Sequence, residues 1–155
     1  MFKGSIVALV TPFRSGKLDL DKLRELVDWH LRSGTHGIVA CGTTGEAVTM
    51  SEDERRETIA AVVKGVNKRI PVLAGTGSND TARTIAETQA AEKLGVDGAL
   101  VVTPYYNKPT QRGLVEHFRA VAGATRLPIV LYNIPGRTGV NMAPETVAAL
   151  AQERN

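Results

Sequence analysis

The sequence predicts an α/β fold, a partial (β/α)8 TIM barrel of about five of the eight units, and three observations carry that expectation. Short apolar runs that read as strands alternate with stretches of helical apolar spacing along the whole chain. The runs recur at about the interval of one βα unit, since eight units take about 250 residues. Each run leads into a loop rich in Thr, Tyr, Asn and Gly, whereas helix-to-strand connections such as Lys68-Arg69 and Arg126-Leu127-Pro128 are plain. An open doubly wound sheet has the same period but gathers its chemistry at one switch point. Chemistry at the C-terminal ends of all strands favours the barrel, and residues 1–155 read as the N-terminal part of one such domain.

The elements follow in order. Residues 5–10 are an almost continuous apolar run closed by Thr11-Pro12, the pattern of a strand buried on both faces. Residues 19–33 place Leu23, Leu26, Val27 and Leu31 at helical spacing, with Gly34 suited to the C-terminal cap. A strand over 36–41 precedes a helix over 51–66, which the capping box Ser51-Glu52-Asp53-Glu54 opens. A strand over 70–74 precedes a helix over 80–94 that stops at Gly95. A strand over 98–102 precedes a helix over 111–122 carrying Leu114, Val115, Phe118 and Val121. A strand over 129–132 is followed by a helix that starts at Pro144.

Composition narrows the function classes. With 43% hydrophobic and 23% charged residues and a net charge of +3, the chain is ordinarily globular. Its Lys and Arg residues are scattered, which argues against a nucleic-acid surface. The apolar run near Met1 is too short for a signal core or a membrane span, so a cytoplasmic setting without membrane attachment is expected. A single cysteine, Cys41, rules out an intrachain disulfide framework and reads as a small core residue. His30, His36 and His117 share no metal-ligand spacing with one another or with Cys41, so neither a metal nor another cofactor is expected.

The loops hold the candidate chemistry. Gly42-Thr43-Thr44-Gly45-Glu46 sets two hydroxyls and free backbone N–H groups between glycines, which suits a carboxylate or phosphate oxygen or simply closes a tight turn. Gly75-Thr76-Gly77 lacks the third glycine of a dinucleotide fingerprint and reads as a turn before an Asp80 cap. All three tyrosines, Tyr105, Tyr106 and Tyr132, lie at predicted strand ends, where a phenol can relay protons. Arg137 sits in the turn Pro135-Gly136-Arg137-Thr138-Gly139, where a guanidinium can clamp a carboxylate or remain an ordinary surface arginine.

Gly42-Thr43-Thr44-Gly45-Glu46, Thr103-Pro104-Tyr105-Tyr106-Asn107-Lys108-Pro109 and Tyr132-Asn133-Ile134-Pro135-Gly136-Arg137-Thr138-Gly139 stand in this order along the chain. Together they closely resemble the dihydrodipicolinate synthase family, and the resemblance runs the length of the chain. Related class I aldolases such as N-acetylneuraminate lyase share the fold but differ around the Thr-Thr pair and after the Tyr-Asn-x-Pro motif. A non-catalytic assembly module is a further alternative. The resemblance implies a Schiff-base lyase that condenses pyruvate with L-aspartate-4-semialdehyde in lysine and diaminopimelate biosynthesis. Thr44 would bind the pyruvate carboxylate, and Arg137 the carboxylate of the aldehyde. Thr43, Tyr106 and Tyr132 would form a proton relay, with Tyr106 reaching into a neighbouring subunit of a homotetramer built as a dimer of dimers.

Two departures bear on this. The family's Schiff-base lysine belongs at the end of a sixth strand, and none of Lys3, Lys17, Lys22, Lys64, Lys68, Lys93 and Lys108 stands there. These residues alone are therefore expected to be inactive, and five strands left with open edges are expected to be aggregation-prone or to associate with a partner. Family members inhibited by L-lysine use a pocket corresponding here to Val48, Glu52, Arg55, Asn79, Arg83 and Tyr105. Asn79 and Tyr105 match it, but sensitive members carry a carboxylate at Arg83 and often a histidine at Arg55. Two cations there predict insensitivity to lysine, with Glu52 offsetting only part of the charge.

Overall fold

A computed structural model describes residues 2–155. Five parallel strands form one sheet: β1 (Ile6–Ala8), β4 (Gly37–Ala40), β5 (Val72–Gly75), β6 (Gly98–Val102) and β7 (Ile129–Tyr132). Their spatial order is their chain order, with Ile6 opposite Gly37, Val39 opposite Leu73, Ala74 opposite Ala99 and Val102 opposite Tyr132. A doubly wound sheet reverses direction at a switch point, and this sheet never does. Successive right-handed crossovers that all advance the same way stack their helices on one face, which is barrel topology. The fold is α/β, the first five units of a TIM barrel, as the loop chemistry led us to expect.

The helices of these crossovers are α1 (Leu20–Arg32), α2 (Glu52–Val66), α3 (Thr81–Lys93), α4 (Gln111–Gly123) and α6 (Pro144–Leu150). Their starts follow local chemistry. Asp19 accepts the Lys22 N–H at 3.0 Å, Asp80 accepts the Arg83 N–H at 3.1 Å, and Thr110 accepts the Gly113 N–H at 3.2 Å. Ser51 and Glu54 form the expected capping box, each side chain accepting the other's N–H.

Alternate strand residues Ile38 and Ala40, Val72 and Ala74, and Ala99 and Val101 are buried with Leu23, Val27, Ile59, Val62, Leu114, Phe118 and Val121 of the helices. Burying each large side chain is worth about 1.5–3 kcal/mol, so this layer holds the helices to the sheet. It fixes where the loops at the opposite end of the strands stand.

Four short elements were not anticipated. Phe13–Arg14 (β2) and Lys17–Leu18 (β3) pair as an antiparallel ribbon, closed by Ser15 and Gly16 at φ 51 and 77. Ala47–Thr49 is a single 3-10 turn, and Pro135–Thr138 (α5), expected as a turn, is one turn of helix with Thr138 buried. Each is too short for a periodicity to show. Among the described residues no helix is long and apolar enough to cross a membrane.

Candidate active site

Close approach of backbones shapes the mouth of the sheet. A Cβ on Gly75 would stand 2.1 Å from the Cys41 carbonyl oxygen, and one on Gly77 would stand 2.4 Å from the Val102 nitrogen. Only glycine fits at either position. The segment after β4 therefore lies directly against the end of β5. Cys41 and Glu46 adopt φ 54 and 60, which swings the intervening residues outward and leaves Thr43 and Thr44 exposed. The Thr11 hydroxyl anchors this arm by donating to the Gly45 carbonyl at 2.7 Å, and the Glu46 N–H donates to the Thr43 carbonyl at 3.1 Å.

After β6, the Thr103 N–H donates to the Tyr132 carbonyl at 3.0 Å, which joins the two tyrosine-bearing segments. The Asn107 side chain donates to the Asn79 carbonyl at 2.9 Å, tying this loop to the one after β5. Tyr105 is half-buried, while Tyr106, at φ 71, is 88% exposed. Tyr132 ends β7 and is half-buried. Asn133 accepts the Met142 N–H at 3.0 Å and donates to the Asn141 side chain at 2.7 Å, so its role is to hold the return of the chain. Arg137 is exposed on α5.

Two adjoining cavities result. One of about 100 Å³ is lined by Thr43, Arg55, Ser78, Arg83, Tyr105 and Tyr132, among others. The other, a wider opening of about 880 Å³, is lined by Thr43, Tyr105, Tyr106, Lys108 and Arg137, among others. Thr43, Val48, Val102 and Tyr105 line both, which makes them two parts of one cleft. The structure thus brings Thr43, Tyr132 and Tyr105 together, with Tyr106 and Arg137 beside them. Thr44 and Asn79 line neither cavity.

The pocket expected to carry two free cations is different in detail. Arg55 is buried, lies 3.5 Å from Glu87 and donates to the Gly75 carbonyl at 3.1 Å, so its charge is matched from within. Glu52 does not perform that offset; it is exposed and lies 3.5 Å from Arg56. Arg83 is the exposed cation of the pocket. Sequence reasoning missed Glu87 altogether. The available signal was the spacing Thr84, Glu87, Thr88 and Ala91, a helical stripe whose members are mostly polar yet all buried. That stripe supports the loop after β5: Thr88 and Thr76 share a hydroxyl hydrogen bond at 2.8 Å, and Thr84 accepts the Ser78 N–H at 3.0 Å.

Cys41 is buried, and desolvation pushes its thiol up to about 12, with Arg55 opposing and Glu87 adding to the rise. Burial likewise lowers the His117 pKa, and His117 Nδ1 lies 2.9 Å from the Thr81 hydroxyl. Cys41 is therefore held as the thiol, not as the nucleophilic thiolate, at neutral pH. Among the described residues no cluster of His, Cys, Asp and Glu could hold a metal.

The chain matches the model of the Dihydrodipicolinate synthetase family over residues 1–155. It is 60% identical to the 4-hydroxy-tetrahydrodipicolinate synthase of Geobacter metallireducens, over all of this chain and 53% of that protein. The structure superposes with a TM-score of 0.98 on the chloride-inhibited dihydrodipicolinate synthase of Acinetobacter baumannii in complex with pyruvate, at 52% identity, covering 100% of this chain and 54% of that one. It superposes with a TM-score of 0.94 on the enzyme of Cyanidioschyzon merolae with lysine bound, at 43% identity, covering 98% of this chain and 53% of that one. The chain spans about half the length of the relatives it matches.

Proposed function

The chain belongs to the dihydrodipicolinate synthetase family, and from that premise we propose that the whole protein is a pyruvate-dependent lyase condensing pyruvate with L-aspartate-4-semialdehyde. The observation that carries this reading is the convergence of Thr43, Tyr105 and Tyr132 on one cleft with Tyr106 and Arg137 at its open side. Both proposed substrates carry a carboxylate, and the cleft offers cations and hydroxyls to receive one. Glycines at the mouth let backbone N–H groups approach a ligand closely.

In this reading the residues divide the labour. Thr44, with the neighbouring backbone of the Gly42–Gly45 arm, receives the pyruvate carboxylate. Arg137 clamps the carboxylate of the aldehyde. Carbon–carbon bond formation needs a proton removed from the pyruvate methyl group and one delivered to the aldehyde oxygen. Tyr132 handles those protons, and Thr43 and Tyr106 pass them on. Hydroxyls suit the task because a chain of them moves a proton without leaving a buried charge. The Schiff-base lysine comes from a sixth strand, outside these five.

Tyr106 has little to pack against in its own chain, which supports a role in a neighbouring subunit's cleft within a dimer of dimers. The reading places the protein in the cytoplasm, in lysine and diaminopimelate biosynthesis. No cofactor or metal takes part in it.

Trapping with pyruvate and borohydride, followed by peptide mass measurement, tests the proposal on the full-length protein. The expected result is one adduct on a lysine outside residues 1–155, with formation of the condensation product in a coupled assay. Activity abolished by EDTA and restored by a divalent metal, or a preference for cleaving sialic acid, would overturn it.

A further inference from the structure

Arg55 and Glu87 are buried charged residues on neighbouring helices, their side chains each only 8% exposed. Neither has a part in the proposed chemistry. Arg55 Nη2 lies 3.5 Å from the Glu87 carboxylate and donates to the Gly75 carbonyl at 3.1 Å, while its Nε is buried without a partner. Its own backbone carbonyl accepts the Cys41 thiol at 3.7 Å. Gly75 and Cys41 are a pair at the mouth between which a Cβ on the glycine would not fit. One guanidinium therefore ties α2, the end of β5 and α3 at the root of the arm that carries Thr43 and Thr44.

We propose that Arg55 is a positioning residue. Braced by Glu87, it holds the Gly75 carbonyl and the Cys41 backbone in register and so sets where Thr43 stands in the cleft and Thr44 stands beside it. The energetic argument favours this over a stabilising role. A buried ion pair gains little net stability over a well-packed apolar pair, because desolvation opposes the attraction. Such a pair does define one geometry, since a planar fork shared between a carbonyl and a carboxylate tolerates little rotation. Left-handed Cys41 and Glu46 on either side of the threonines give the arm two pivots that something must hold. The catalytic consequence rests on the reading given under Proposed function; the structural consequence does not.

The test uses the full-length protein and its R55K, R55M and R55M/E87M variants. Cys41 is a built-in reporter: its side chain is buried at the root of the arm, so its labelling rate reads how readily the arm opens. Site-specific labelling of Cys41, read by peptide mass spectrometry, should quicken about tenfold or more in R55M and in the double variant. Turnover should fall about 10- to 100-fold in both, the scale of a small misplacement of reacting groups, while KM for pyruvate changes little. R55M alone should also melt earlier, because Glu87 is left buried and unpaired. The double variant should recover the melting temperature without recovering turnover or Cys41 protection, and R55K should restore part of both.

Wild-type labelling in the double variant overturns the proposal whatever the turnover. Faster labelling with wild-type turnover also overturns it, since the arm's position would then not matter to the chemistry. If the wild-type protein forms no condensation product, the functional reading has failed, and the labelling series still decides whether Arg55 holds the arm.

Discussion

At the N-terminal end of the sheet, polar side chains are occupied with the backbone. Asp97 accepts the Val72 N–H at 2.8 Å where β5 begins, His36 accepts the Ser5 N–H at 3.1 Å ahead of β1, and Glu92 accepts the Arg126 N–H at 3.3 Å ahead of β7. At the C-terminal end Thr43, Tyr105, Tyr106 and Tyr132 line the open cleft, and Thr43, Thr44 and Arg137 are exposed. Backbone strain divides the same way. Among the described non-glycine residues, Cys41, Glu46, Tyr106 and Lys108 take left-handed φ at the mouth, whereas at the other end Asn67 and Lys68 do so and the remaining left-handed positions there are glycines. Polar groups that have partners stabilise, and polar groups held ready without them are available to a ligand. Substitutions at the two ends should therefore affect different measurements.

The largest effect is expected at the mouth. Tyr132→Phe keeps the ring and removes the hydroxyl, and turnover of the full-length enzyme should fall about 10²–10⁴-fold. The melting temperature should stay near wild type. Steady-state assay beside calorimetry measures both, and loss of stability in proportion to activity would break the contrast. Tyr106→Phe should behave alike, and mixing it with a different inactive variant should restore part of the activity through hybrid dimers.

Next comes the layer between the two ends. Phe118 is 1% exposed, and Phe118→Ala should cost about 3–5 kcal/mol of stability by opening a cavity under β6 and β7. Urea unfolding at unchanged m-value measures it. Enzyme that remains folded should keep its KM, because the apolar layer sets the strands and not the hydroxyls. A smaller effect belongs to the N-terminal end. Asp97→Ala leaves the Val72 N–H without its partner and should lower stability by about 1 kcal/mol while turnover is unchanged. A loss of turnover beyond that of stability would show that the two ends are coupled.

The smallest expected effect is none at all. Arg83 stands in the pocket where the family resemblance puts a carboxylate in lysine-sensitive members, and at an effective dielectric near 20 like charges about 4 Å apart repel by about 4 kcal/mol. Arg55 is neutralised by Glu87, so the repulsion comes from Arg83 alone and still reverses the sign of the contact. A lysine titration at saturating pyruvate should leave the rate unchanged, and Arg83→Glu should make it fall. Sub-millimolar inhibition of the wild type would sharpen the comparison by showing that this part of the mouth is occupied rather than open.

Much of this was legible in the residues alone, because it rests on neighbours in sequence. The alternation of strand and helix, the caps at Ser51 and Asp80, and the strands ending at Val102 and Tyr132 follow from apolar spacing and short-range hydrogen bonds. Strings of motif residues such as Gly42-Thr43-Thr44-Gly45-Glu46 were enough to point to the family. Packing decided what the linear pattern does not encode. Arg55 meets Glu87 across 32 positions, and the charge of one inverts the meaning of the other. Gly75 is required because Cys41 lies against it, a reason invisible until two strands stand side by side. Thr43 and Tyr105 share both cavities and Thr44 neither, although nothing in the sequence separates Thr43 from Thr44. Capping and periodicity act within a turn or two of backbone, so one chain segment determines them. Charge pairing and close approach act through space between segments, so they exist only once the sheet has formed.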